Sequence, residues 1–76
     1  MLEGSCLCGA IRYEVDAKPG PIIHCHCQTC RKAHASAFSS LMPVPRGAFR
    51  WTSGEEKLTH FQSSPGKFRH FCSACG

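Results

Sequence analysis

Seven cysteines fall into three short runs, and their placement limits what this chain can become. Cys6 and Cys8 make a C-x-C pair near the start, and Cys72 and Cys75 make a C-x-x-C pair at the end. Cys25, Cys27 and Cys30 lie together in His24-Cys25-His26-Cys27-Gln28-Thr29-Cys30-Arg31-Lys32. Zinc takes thiolates in a tetrahedron; structural sites close it with four protein ligands, whereas catalytic sites keep three and leave one position to water or substrate. Short C-x-C and C-x-x-C spacings let neighbouring sulfurs converge on one ion. We therefore expect Cys6, Cys8, Cys72 and Cys75 to hold a structural zinc. Cys25, Cys27 and Cys30 are expected to form a second, open site.

Chain length makes the same case. A chain of 76 residues is one small domain that is marginal on its apolar core alone. A metal joining the two ends closes a loop spanning nearly the whole chain, and its binding free energy becomes folding free energy. A disulfide framework fits less well. The cysteine number is odd, Met1-Leu2-Glu3-Gly4-Ser5-Cys6 has no apolar run, and the spacings suit ligands. Cytoplasmic placement is the corresponding expectation. Redox cycling of Cys27-x-x-Cys30 lacks the βαβ context such motifs normally have.

Charge and hydropathy bound the partners. No stretch approaches the roughly 20 apolar residues of a membrane span. The formal net charge is +4 with histidines neutral. Seven thiolates outweigh two divalent ions, so most of that excess disappears on metal binding. A nucleic-acid partner is thus poorly supported by charge.

Local patterns give a mainly β chain. Residues 10–16 alternate, with Ile11, Tyr13 and Val15 on one side and Arg12, Glu14 and Asp16 on the other. Ile22 and Ile23 open an extended piece running into Cys25 and Cys27. In that piece both sulfurs face one side and His26 the other. Gln28 to about Ala35 suits a short helix, with Cys30 near its start. Residues 37–44 and 48–52 read as strands. Leu58–Gln62 and Lys67–Phe71 flank Ser63-Ser64-Pro65-Gly66 as a hairpin. Phe38, Phe49, Trp51, Phe61, Phe68 and Phe71 are expected to fill the core rather than to stack bases. Arg69 and His70 read as exposed strand residues. His24 and His26 read as flanking histidines rather than ligands.

Three ordered motifs carry a resemblance. They are Gly4-Ser5-Cys6-Leu7-Cys8-Gly9, Cys25-His26-Cys27-Gln28-Thr29-Cys30-Arg31-Lys32 and Phe71-Cys72-Ser73-Ala74-Cys75-Gly76. Together they resemble the glutathione-dependent formaldehyde-activating enzyme family, which also includes centromere protein V. The resemblance implies packed antiparallel sheets in a β-tent-like arrangement, carrying two zinc ions. It implies that Cys6, Cys8, Cys72 and Cys75 bind the structural zinc and that Cys25, Cys27 and Cys30 bind the catalytic one. The implied activity is a carbon–sulfur lyase reaction that forms S-hydroxymethylglutathione from glutathione and formaldehyde, or acts on a related small thiol. Arg31 and Lys32 are candidates for pairing with a substrate carboxylate. Family chains run past the last C-x-x-C-G, so we expect residues 1–76 to be one such zinc domain, truncated at its C-terminal end. The rival class is a non-catalytic zinc module that binds protein or nucleic acid.

Overall fold

A computed structural model describes residues 1–76. Seven short strands and one helix alternate with turns: β1 (Leu2–Ser5), β2 (Arg12–Val15), β3 (Ile23–Cys25), α1 (Gln28–His34), β4 (Ser39–Leu41), β5 (Phe49–Ser53), β6 (Leu58–Ser64) and β7 (Lys67–Cys72). Single 3₁₀ turns, Arg46–Ala48 and Glu55–Lys57, lead into β5 and β6. No helix is long and apolar enough to cross a membrane.

The strands form three antiparallel sheets. One has the order β1-β2-β5, and the pairs β3-β4 and β6-β7 make the other two. The alternation over 10–16 is realised in β2, where Ile11 just before the strand and Val15 within it are buried at 3% exposure. Tyr13 lies between them and stacks on Phe49, with ring centroids 5.1 Å apart. Trp51 meets both rings edge-on. Such aromatic pairs add about 0.5–1.5 kcal/mol each beyond their burial. On the outer face Glu14 pairs with Arg50 across the strands. Arg50 is largely exposed and Glu14 partly buried, and a pair open to solvent on one side is worth about 1 kcal/mol.

The structure differs from the sequence expectations in several places. β1 was not expected, because Leu2 is its one large apolar residue and four residues are too few to show a period. The strand expected over 37–44 shortens to Ser39–Leu41, and the one expected from Ile22 stops at Cys25 so that the chain can bend at Cys27. The aromatic residues of the last hairpin are not core. Phe61, Phe68 and Phe71 are 66%, 48% and 41% exposed. The physical reason is the topology: β6 and β7 pair with each other and with no third strand.

One turn makes a sharp steric demand. Gly54 has φ 75°, and a Cβ there would collide with the Ala10 carbonyl oxygen and the Ile11 Cα. Both are backbone atoms, so no side chain can swing aside. Gly54→Ala is expected to cost about 2–4 kcal/mol. In a domain this small that lowers the thermal midpoint by roughly 10 °C or more. An unchanged midpoint would contradict the tight docking of the β5–β6 turn on the β1–β2 turn.

Candidate metal centres

The seven sulfurs gather in two groups, one of Cys6, Cys8, Cys72 and Cys75 and one of Cys25, Cys27 and Cys30. Within each group all sulfur atoms lie within 4.8 Å of one another. All seven cysteines are free thiols.

The first group joins the two ends of the chain. Cys6 and Cys8 lie in the turn after β1, where Cys6 N–H donates to the Ile11 carbonyl at 3.0 Å and Gly9 N–H to the Cys6 carbonyl at 3.1 Å. Gly9 takes φ 78°, a left-handed conformation that lets the chain reverse immediately after Cys8. β7 delivers Cys72, and the following turn delivers Cys75. Ser73 N–H is tied to the Lys57 carbonyl at 2.9 Å, which fixes this turn to the start of β6. Backbone amides point at sulfur on both sides: Ile11 N–H reaches Cys6 Sγ at 3.4 Å, and Ala74 N–H reaches Cys72 Sγ at 3.3 Å.

Sulfur separations test whether a metal fits. Four thiolates at about 2.3 Å from a tetrahedral ion lie about 3.8 Å apart. Cys6 and Cys8 sulfurs are 3.6 Å apart, and Cys8 and Cys72 sulfurs 3.8 Å. A disulfide would need about 2.05 Å. Four soft donors at this spacing fit zinc or another thiophilic ion. The Ile11 N–H draws the Cys6 thiol down to about 6. Amide bonds from Cys75 and Ala74 likewise lower Cys72. The Ala10 amide favours the Cys8 thiolate, but its hydrogen bonds to neighbouring sulfurs push it up to about 11.

The second group is local. Cys25 ends β3, Cys27 caps α1, and Cys30 sits in the first turn of α1. Cys27 has extended backbone, and its sulfur accepts the Cys30 N–H at 3.3 Å. Helix α1 ends on Ala35 in the left-handed region, whose N–H bonds back to the Lys32 carbonyl. The three sulfurs grade from exposed Cys27 through half-buried Cys25 to buried Cys30. This donor set also fits a thiophilic ion, with three protein sulfurs rather than four. His24 and His26 are placed elsewhere: both rings pack on Phe38, at 4.3 and 5.2 Å between centroids.

Two residues that sequence reasoning did not assign to this group stand beside it. Arg69 is half-buried rather than exposed. Its Nε donates to Ser63 Oγ at 2.9 Å and its Nη2 to Cys30 Sγ at 3.6 Å. Ser39 faces Cys25 across the β3-β4 pair and is 2% exposed. Its hydroxyl has no hydrogen-bond partner of ordinary geometry. Arg69 foremost, with help from the Cys25 and Cys27 side chains, lowers the Cys30 thiol to about 6. Cys25 shows the converse: the Cys27 amide favours its thiolate, but the neighbouring sulfurs outweigh that and raise it. The sequence shows only a strand alternation at Arg69. That alternation puts Arg69 and Cys72 on opposite faces of β7, without marking the arginine as aimed at a thiolate.

The candidate substrate residues lie on the exposed side of α1. Arg31 Nε donates to the His26 carbonyl at 3.0 Å, and Lys32 is exposed.

The sequence model of the glutathione-dependent formaldehyde-activating enzyme family matches residues 1–76. A Halomonas elongata protein, provisionally named as such an enzyme, is 35% identical over 82 residues, covering 99% of this chain and 52% of its own. A Schizosaccharomyces pombe protein named an uncharacterized lyase is 32% identical over 74 residues, covering 97% of this chain and 52% of its own. The crystal structure of a Rhodobacter sphaeroides protein superposes with a TM-score of 0.81 at 28% identity, over 99% of this chain and 68% of that one. The chain spans about half the length of the curated relatives it matches. With the family pattern spanning every residue and two groups of convergent sulfurs in the fold, the chain belongs to the glutathione-dependent formaldehyde-activating enzyme family.

Proposed function

We propose that this chain carries the zinc centres of a carbon–sulfur lyase-like enzyme that forms S-hydroxymethylglutathione, or acts on a related small thiol–aldehyde adduct. Cys6, Cys8, Cys72 and Cys75 hold a structural zinc in this reading, and Cys25, Cys27 and Cys30 hold a catalytic one. The observation that carries it is the second group: three convergent sulfurs graded from buried to exposed, in a chain whose family is named for glutathione and formaldehyde.

The reaction forms a bond between the glutathione sulfur and the formaldehyde carbon. The thiol proton ends on the former carbonyl oxygen. Thiols add to formaldehyde unaided, so the protein has two tasks: to supply the thiolate and to orient it. Zinc, when bound, supplies a fourth coordination position at which a thiol loses its proton. The chain does the rest. Buried Cys30 anchors the group, and exposed Cys27 places its open side toward solvent. The Cys30 amide holds Cys27 in place. Arg31 and Lys32, on the neighbouring helix, supply cations for a glutathione carboxylate. Arg31 is already steadied by the His26 carbonyl, which limits its loss of freedom on binding.

The test is calorimetric titration of reduced glutathione into protein carrying two zinc ions, with S-methylglutathione as control. Saturable binding of glutathione alone is expected. Binding of neither compound would favour a non-catalytic zinc module. Equal binding of both would remove the thiol from the site.

A further inference from the structure

We infer that Arg69 is a positioning residue of the three-cysteine centre, which holds the Cys30 sulfur and offsets the negative charge of the thiolate group. This rests on the reading that Cys25, Cys27 and Cys30 bind a metal.

Strand β7 carries two assignments on opposite faces. Cys72, at its end, belongs to the four-cysteine group, and Arg69, three residues earlier, reaches into the other. The Arg69 guanidinium is a fork used on both prongs, Nε on Ser63 Oγ at 2.9 Å and Nη2 on Cys30 Sγ at 3.6 Å. Ser63 lies at the β6 irregularity between Gln62 and Ser64, which turns its hydroxyl toward Arg69. Cys30 is buried at 2% exposure, so water does not compete well for its sulfur. No carboxylate pairs with Arg69; the structure's ion pair joins Arg50 and Glu14.

A divalent ion on three thiolates keeps one net negative charge. A fixed guanidinium beside the buried sulfur offsets it and withdraws electron density from that sulfur. The cation also ties the second centre to the strand that the first one anchors. Lysine cannot serve both Ser63 and Cys30 from one planar group, so Arg and Lys are not equivalent here.

Cobalt(II) titration of the metal-free chain tests this, because sulfur-to-cobalt charge-transfer absorption reports the donor directly. Arg69→Gln, Arg69→Lys and Ser63→Ala are compared with the unaltered chain, each in competition with a chelator. Two ions are expected in the unaltered chain. In Arg69→Gln the second ion is expected to bind about 10- to 100-fold more weakly, the usual cost of losing an outer partner of a ligand. Its charge-transfer band moves to lower energy, and the first ion's affinity and band are unchanged. Arg69→Lys shifts the band in the same direction by less, and Ser63→Ala by less again. If Arg69→Gln does not fold, an unchanged Arg69→Lys band overturns the inference. An unchanged second site in Arg69→Gln, or equal weakening of both sites, also overturns it. One ion only in the unaltered chain removes the metal reading itself.

Discussion

A Cys75→Ser chain is expected to lose cooperative folding. Cys75 is half-buried, so serine disturbs little packing, and the effect isolates the sulfur. Little else holds the ends together. Five residues of 76 are buried, and of these Ile11 and Val15 are the aliphatic ones. The four-cysteine group spans residues 6 to 75 and joins the β1–β2 turn to the end of β7. Closing a loop of that length is worth about 4 kcal/mol by the relation for a covalent cross-link. Structural zinc contributes about 10–16 kcal/mol in comparable small sites, against a typical domain stability of about 5–15 kcal/mol. Losing a ligand therefore takes away a large share of the total. Circular dichroism melts check this, with chelator on the unaltered chain as the matching experiment. A Cys75→Ser melt that overlays the unaltered chain would remove the structural role from this group.

Cys27→Ser should behave in the opposite way. Cys27 is exposed and caps α1 by accepting the Cys30 amide. Serine is among the best residues for that position, so the helix keeps its cap. The fold is expected to survive with a thermal midpoint within a few degrees. The second metal is expected to bind more weakly by more than the roughly 100-fold upper cost of losing an outer partner. Glutathione binding should be lost with it. Metal content by mass spectrometry under native conditions, read beside the melt, separates the two effects. Global unfolding of Cys27→Ser would make both centres structural.

These two substitutions mark what the sequence could show. Ligand spacing is local chemistry: C-x-C and C-x-x-C bring sulfurs together whatever the surrounding fold, so the division into four and three is readable from the chain. Helix α1 and the last hairpin were readable for the same reason. A short helical pattern, a proline–glycine turn and a strand alternation are decided within a few residues. The family motifs added the antiparallel sheets, which the model shows. What escaped depends on contacts far apart in sequence. Arg69 and Cys30 are 39 residues apart. Nothing local distinguishes an arginine aimed at a thiolate from one in solvent. Ser39 escaped because one hydroxyl in a short strand carries no pattern. The hairpin phenylalanines were misassigned on composition: a small chain needs a core, but β6 and β7 place no third strand over them.

The proposed function requires two metal centres of unequal sulfur number. X-ray absorption at the zinc edge, on chain reconstituted with zinc and free of added thiol, tests it most directly. Two ions per chain and a mean sulfur coordination between three and four are expected, with a lighter atom completing the shell. A single ion per chain, or four sulfurs around every ion, would contradict it.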